Sequence, residues 1–89
     1  MVSREVEIVN RLGLHARAAA RFVHTATRYR SRITVARDGR VMDGKSILGI
    51  LLLAASRGTR LLVAAEGEDE GAAVEALSAL VAGRFGEDS

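Results

Sequence analysis

The sequence predicts an α+β fold in which one antiparallel sheet carries its helices on one face. Four short segments alternate apolar with polar side chains, which is the pattern of half-buried strands. Three other segments repeat apolar residues at helical spacing. The seven segments follow one another in the order βαββαβα, which favours a sheet and helices in two packed layers. The 89 residues contain no linker, repeat or low-complexity stretch, so we expect one domain spanning residues 1–89.

The first strand is predicted at residues 4–8, where Val6 and Ile8 face the core. Gly13 permits the backbone angles of a tight turn into the first helix, which runs from Ala16 to about Thr27. The spacing in this helix separates a core face from a polar face. The core face contains Ala19, Phe22, Val23 and Ala26, and the mostly outward side chains are those of Arg17, Arg21, His24 and Arg28.

A hairpin is predicted next, because Asp38-Gly39 separates an alternating strand at residues 32–36 from a short strand at residues 40–42. A fourth strand follows further along the chain, at Leu61, Val63 and Ala65. Gly67 ends it, and Asp69 or Glu70 begins the last helix. The apolar stripe of that helix consists of Ala73, Val74, Leu77, Leu80 and Val81.

The second helix is predicted over Ile47 to Ala55, with Ser46 as its N-cap and Gly58 as its stop. This segment is apolar on nearly every side. We therefore expect some of its side chains to be exposed or to meet a partner.

Charge is distributed unevenly along the chain, although the net charge is only +2. Residues 1–60 hold 12 Lys and Arg against 4 Asp and Glu, whereas residues 61–89 hold 1 against 7. The basic part predicts acidic partners, because complementary potentials raise encounter rates. There is no cysteine and no apolar run of membrane-spanning length. We read no signal peptide and no membrane insertion, and we expect a cytoplasmic protein.

The stretch Asn10 to Ala20 is the candidate chemical site. It places His15 and Arg17 at the start of a helix, where unpaired N–H groups favour a bound anion. Arg17 adds a planar cationic fork suited to phosphate oxygens. A neutral imidazole beside such a pocket is a nucleophile, so His15 is a candidate phosphoryl acceptor. By itself, a lone histidine near a turn is more often structural or solvated.

Two motifs together resemble the HPr family of the phosphoenolpyruvate-dependent phosphotransferase system. They are Gly13-Leu14-His15-Ala16-Arg17 and, about thirty residues later, Gly44-Lys45-Ser46-Ile47-Leu48-Gly49. The resemblance covers essentially the whole chain and implies an HPr-like open-faced sandwich, a four-stranded antiparallel sheet covered by three helices. The lead-in residues 10–13 and the leucine-rich second helix also look like the nitrogen-type, regulatory branch of the family. That leaves two roles open, sugar import or regulation that acts mainly through protein-protein binding.

The resemblance implies a phosphocarrier and not an enzyme. Phosphorylated Enzyme I would pass a phosphoryl group to His15 Nδ1, and a IIA protein or domain would then accept it. Arg17 and the backbone amides of Ala16, Arg17 and Ala18 would hold the phosphoryl group, without a metal or cofactor. Ser46 matches a serine that an HPr kinase phosphorylates in many members. Ala18 stands where the family motif usually has proline, and this change removes no chemical group.

A docking surface for these partners is implied beside the histidine, and we expect the protein to be a monomer. The predicted interface residues are Ala20, Arg21, His24, Thr27, Ile47, Leu48 and Leu51.

Three other functions are alternatives to this interpretation. A nucleic-acid module is suggested by clustered arginines, but few aromatic residues are available for stacking. A regulatory member that no longer relays phosphate is disfavoured because His15 is present. A self-contained enzyme is excluded by the absence of a second acid or base near His15, a nucleotide loop and a metal cluster. The arginine cluster consists of Arg28, Arg30, Arg32, Arg37 and Arg40.

Overall fold

The computed structural model describes all of residues 1–89, and its helices and strands follow the predicted order βαββαβα. A short 3₁₀ turn, Arg84–Gly86, follows the last helix and was not predicted. The strands are β1 (Val2–Glu7), β2 (Arg32–Arg37), β3 (Arg40–Asp43) and β4 (Arg60–Glu66). The helices are α1 (Ala16–Ala26), α2 (Ile47–Leu52) and α3 (Glu70–Ala82).

The four strands form one antiparallel sheet in the order β1-β4-β2-β3. The predicted hairpin is present, since Arg37 pairs with Arg40 across the turn. Asp38 and Gly39 have φ values of 49° and 83°, as a two-residue hairpin turn requires. The predicted α+β class, with a four-stranded antiparallel sheet and three helices, is confirmed.

The core lies between the sheet and the helices. Alternate strand residues such as Val6, Val35 and Val63 are buried, while their neighbours along each strand face outward. Ile8 lies just beyond β1 but is fully buried, as predicted. Leu80 of the predicted α3 stripe is only partly buried against the core. Besides Ile8, the largest buried side chains from outside the sheet are Phe22, Ile50, Leu53, Leu77 and Phe85.

Helix α2 is shorter than predicted, because it ends at Leu52 and does not continue to Ala55. Ala54 adopts φ = 50°, a left-handed conformation that ends a helix. The chain then buries Leu53 and Ala55. Apolar residues continue through this turn, so composition could not mark the end of the helix.

Two arginines of the hairpin donate hydrogen bonds to the carbonyl oxygens at the end of α2. The Arg37 guanidinium donates to the carbonyls of Leu53 and Ala54 at 2.7 and 2.8 Å, and Arg40 donates to Leu52 O at 3.3 Å. Cationic side chains are favourable where helix carbonyls lack partners. Two of the five arginines considered as a nucleic-acid patch therefore have an intramolecular role. Elsewhere in the fold, no helix has the length and apolar character needed to cross a membrane.

Candidate functional site

The loop before α1 is held by close backbone contacts, and only glycine fits at position 13 of this loop. Gly13 has φ = 70°, and a Cβ atom there would lie 2.7 Å from Ala55 O. Leu14 N donates to the same carbonyl at 2.8 Å. The fully buried Asn10 donates from Nδ2 to Gly13 O, also at 2.8 Å. These contacts determine where the chain enters α1.

His15 is the N-cap of α1, so the predicted position of this histidine at the helix start is confirmed. Its Nδ1 accepts a hydrogen bond from the Arg17 amide at 3.2 Å. The imidazole is 29% exposed, which leaves it reachable from solvent. An Nδ1 atom that accepts a hydrogen bond carries a lone pair, and this is the electron pair that a nucleophile needs.

The other ring nitrogen of His15 has a partner that the sequence did not reveal. Nε2 lies 2.5 Å from Glu87 Oε2, and the Glu87 side chain is only 16% exposed. The expectation of no second acid or base near His15 is therefore wrong. Glu87 is 72 residues away, and no local spacing relates the two positions. The only available signal was the acidic character of the final third of the chain.

Glu87 remains an acceptor at neutral pH. Burial raises the pKa of its carboxyl, but hydrogen bonds from Asn10 and His15 and the nearby charges of His15 and Arg21 lower it more. The net pKa lies below the ordinary value. Asn10 donates to Oε1 of this carboxylate at 2.9 Å, so each carboxylate oxygen has its own partner.

Arg17 is exposed, and its guanidinium is not hydrogen-bonded or ion-paired within the protein. It lines a cleft of about 350 Å³ together with His15 and Glu87. A guanidinium without an internal partner can bind phosphoryl oxygens at no cost in lost contacts. The structure shows no group of three or more metal-ligating side chains.

The three predicted backbone donors differ in access. Ala16 and Arg17 are exposed, but Ala18 is fully buried. The Arg17 amide already donates to His15 Nδ1, and the Ala18 amide has no acceptor in the protein. Proline at position 18, as in the usual family motif, would thus remove no hydrogen bond. Of the three residues, only Ala16 and Arg17 lie on the surface, so the covered Ala18 amide is the least suited to hold a phosphoryl group.

Ser46 is the N-cap of α2, as predicted, and its Oγ accepts from the Gly49 amide at 3.1 Å. Lys45 connects this helix start to the turn that follows α1, because its Nζ donates to Tyr29 O at 2.7 Å. Ser46 is partly exposed. The predicted regulatory serine is therefore accessible, and its hydroxyl also has a structural role.

A groove of about 710 Å³ runs along the exposed face of α1. Arg17 lies at this groove as well as at the cleft beside His15. Two predicted interface residues, Leu48 and Leu51, do not line it. Leu48 is 67% exposed, whereas Leu51 packs partly against the core. The predicted interface residues that line the groove are Ala20, Arg21, His24, Thr27 and Ile47.

Comparison with known proteins agrees with the motifs. The family model described as "PTS HPr component phosphorylation site" matches residues 2–83. The phosphocarrier protein HPr of Xylella fastidiosa (strain Temecula1 / ATCC 700964) is 47% identical, and the alignment covers 100% of both chains.

Solved structures agree with the fold. A crystal structure of HPr-C-His from Thermoanaerobacter tengcongensis matches with a TM-score of 0.96 and 44% identity over 100% of both chains. A structure of an HPr dimer from the same organism matches with a TM-score of 0.79 and 45% identity, covering 98% of this chain and 100% of that one. Motifs, fold and relatives agree over the length of the sequence, and the chain belongs to the HPr family of phosphocarrier proteins of the phosphotransferase system.

Proposed function

We propose that the protein accepts a phosphoryl group on His15 Nδ1 from phosphorylated Enzyme I and passes it to a IIA protein or domain. The observation that carries this proposal is the pair of groups found together at the start of α1, the imidazole of His15 and the guanidinium of Arg17. Nδ1 presents a lone pair at the start of a helix, and the Arg17 guanidinium beside it has no internal partner. A nucleophile and a free cation thus line one cleft, as phosphoryl transfer requires.

In this proposal the protein is a carrier and not an enzyme. The arriving phosphoryl group displaces the Arg17 amide from Nδ1, and that amide becomes available to a phosphoryl oxygen. The Ala16 amide and the Arg17 guanidinium supply further donors, and the helix dipole favours the negative charge. No cofactor is required. Residues 1–89 act as one HPr domain.

The groove along α1 and the exposed apolar residues of α2 form the proposed docking surface. Arg17, Arg21 and Arg28 give the groove positive charge, which suits acidic partner surfaces. Ile47 and Leu48 add apolar area at 46% and 67% exposure. The nucleic-acid alternative is weakened because Arg37 and Arg40 bind the end of α2.

Ser46 is proposed as the regulatory position. A phosphate there would stay near the start of α2, where helix amides favour it. It would also add about two negative charges next to Ile47 and Leu48, on a surface meant for acidic partners. Phosphorylation by an HPr kinase would then weaken Enzyme I binding through charge.

The relay is tested by label transfer from phosphoenolpyruvate through Enzyme I. We expect the wild-type protein to take up an acid-labile label and His15→Ser to take up none. Serine is a preferred N-cap residue, so this variant preserves the start of α1 while removing the imidazole. Circular dichroism of the two proteins checks that the fold is the same.

His24 provides the control for the labelled position, because it is the only other histidine in the chain. His24→Ala should reach the same extent of acid-labile labelling as the wild type, whatever its rate. Acid-labile label in His15→Ser, or none in the wild type with an active Enzyme I, would contradict the relay.

A further inference from the structure

The segment 84–89 folds back over the start of α1 and is held there by several contacts. Arg21 donates to Phe85 O, and the Phe85 side chain is buried in the core. Arg11 N donates to Ser89 O at 3.0 Å. Arg84 and Phe85 have φ values of 58° and 54°, which are uncommon for residues other than glycine. Such a conformation persists only where surrounding contacts hold it.

These contacts place the Glu87 carboxylate beside the His15 ring. Oε2 lies 2.5 Å from His15 Nε2, and Oε1 accepts from Asn10 Nδ2 at 2.9 Å. Asn10 is itself fully buried and also donates to Gly13 O. A buried amide that binds both the loop and the carboxylate therefore determines where Glu87 sits.

We propose that Glu87, oriented by Asn10, is a positioning residue that holds His15 as the Nε2–H tautomer with its Nδ1 lone pair free to attack phosphorus. This inference rests on the proposed relay and names a residue that the site motif does not contain. Two independent contacts support it. The carboxylate requires a proton on Nε2, and the Arg17 amide requires a lone pair on Nδ1.

The same contact has a role when the phosphoryl group arrives. The Nδ1 lone pair forms the new bond to phosphorus, and the bond from phosphorus to the donor protein breaks, with its electron pair leaving on the donor atom. The proton stays on Nε2. The ring gains positive charge in this step, and the Glu87 carboxylate stabilises that charge through the Nε2–H hydrogen bond.

The groups that face Glu87 are otherwise cationic or neutral, apart from Asp88. Arg17 lines the same cleft, and the charge of Arg21 acts on the Glu87 carboxyl. Asp88 also lines the cleft, but its carboxylate has no hydrogen bond or ion pair in the protein. Asp88→Asn is thus a matched control, because it removes one negative charge next to Glu87 without touching the His15 contact.

The first measurement is the tautomer of His15 in the free protein, read from its ring ¹⁵N chemical shifts at a pH where the ring is neutral. We expect mainly Nε2–H in the wild type and in Asp88→Asn. Glu87→Ala should give a mixture in which the Nδ1–H form increases. An unchanged tautomer in Glu87→Ala, or an equal change in Asp88→Asn, would overturn the proposal.

The second measurement is kcat/KM for acceptance of label from phosphorylated Enzyme I. We expect Glu87→Ala to lower it by about 10-fold to 100-fold, mainly through kcat, because a misplaced nucleophile loses rate on this scale. Glu87→Gln has no charge and retains one acceptor oxygen for His15 Nε2–H, while its amide nitrogen replaces the oxygen that accepts from Asn10, so we expect a tautomer mixture and a rate between those of the wild type and Glu87→Ala. A Glu87→Gln rate equal to the wild type would overturn the charge-stabilising role.

The two measurements separate this inference from the proposed relay. A wild-type protein that takes no label from a competent donor contradicts the relay, while the tautomer still decides whether Glu87 orients His15. Full labelling of the wild type with a normal rate in Glu87→Ala contradicts the role of Glu87 and leaves the relay intact. Circular dichroism and thermal unfolding of each variant check whether the fold is retained.

Discussion

Helices α1 and α2 begin in the same way but are held differently. His15 and Ser46 each cap their helix by accepting a backbone amide, at 3.2 and 3.1 Å. His15 is also held on its second nitrogen by Glu87, whereas the Ser46 hydroxyl has no other partner. Five residues of α1 are buried, against one of α2, Ile50. The cap side chain of α1 therefore has a contact with a distant segment, and the cap side chain of α2 has none.

This difference suits the two proposed phosphoryl acceptors. Attack by a neutral imidazole requires a particular ring nitrogen to carry the lone pair, so His15 benefits from a fixed orientation. A serine hydroxyl rotates freely and would receive its phosphate from an external kinase that supplies the orientation itself. A cap contact alone fixes only one atom of the capping side chain. A second contact from a distant segment distinguishes the proposed relay residue from the proposed regulatory one.

The largest expected effect tests the anchoring of α2. Ile50→Ala should lower the free energy of unfolding by about 2–5 kcal/mol, because it deletes the only buried side chain of this helix. Leu48→Ala removes a comparable side chain that is 67% exposed, and we expect a change within about 0.5 kcal/mol. Urea unfolding of the two variants gives both values.

The same pair also tests the docking surface. Leu48→Ala should raise KM for phosphorylated Enzyme I, because Leu48 is proposed to contact that partner. A loss of stability in Leu48→Ala equal to that in Ile50→Ala would instead place Leu48 in the core and remove it from the interface.

An intermediate effect is expected from the cap of α2. Ser46→Ala should cost about 1 kcal/mol of stability, while Ser46→Asp should keep most of it because aspartate is also a good N-cap. Aspartate adds negative charge, so Ser46→Asp should weaken Enzyme I binding more at low salt than at high salt. Urea unfolding and titration calorimetry measure the two effects.

Ser3→Asp is the charge-matched control for this experiment, because Ser3 is exposed on β1 and lies outside the proposed interface. If Ser46→Ala weakens Enzyme I binding as much as Ser46→Asp does, the weaker binding comes from the loss of the cap and not from the added charge. A loss that does not depend on salt would point to steric blocking.

The smallest expected effect concerns Asp69, which stands at the N-cap position of α3. Asp69 makes no side-chain bond to its own helix. Its carboxylate accepts from the Ser31 hydroxyl at 2.6 Å and from the amides of Arg30 and Ser31, both at 2.9 Å. Hydrogen bonds lower the pKa of Asp69 from 3.8 to about 2, the Ser31 hydroxyl contributing most and the Arg30 amide next, while desolvation opposes them in part.

Because the pKa of Asp69 is lower in the folded state, this carboxylate stabilises the fold at any pH above its unfolded-state pKa. The contribution is lost as the pH falls through about 2. Asp69→Asn should therefore be less stable than the wild type near pH 7. The difference should shrink as pH falls from about 4 towards 2. Urea unfolding across this range measures it, and a difference that stays constant with pH would contradict the assigned ionisation.

Local patterns predicted most of the fold. Alternation at Ile33 and Val35, and helical spacing at Phe22 and Val23, identified elements whose buried faces match the structure. The end of α2 was missed because the apolar run continues after the helix, through Leu53 and Ala55. The role of Arg37 was also missed, since its acceptors lie 16 and 17 residues away. Monomeric state and cytoplasmic location stay predictions.

Local sequence was enough to place His15 and Ser46 at helix starts, because glycine turns, caps and apolar periodicity act over a few residues. The partner of each nitrogen of His15 depends instead on tertiary packing. Glu87 reaches His15 after α3 packs on the sheet, Phe85 enters the core and Asn10 orients the carboxylate. Contacts across 72 residues depend on that packing, and no periodicity in the chain encodes them.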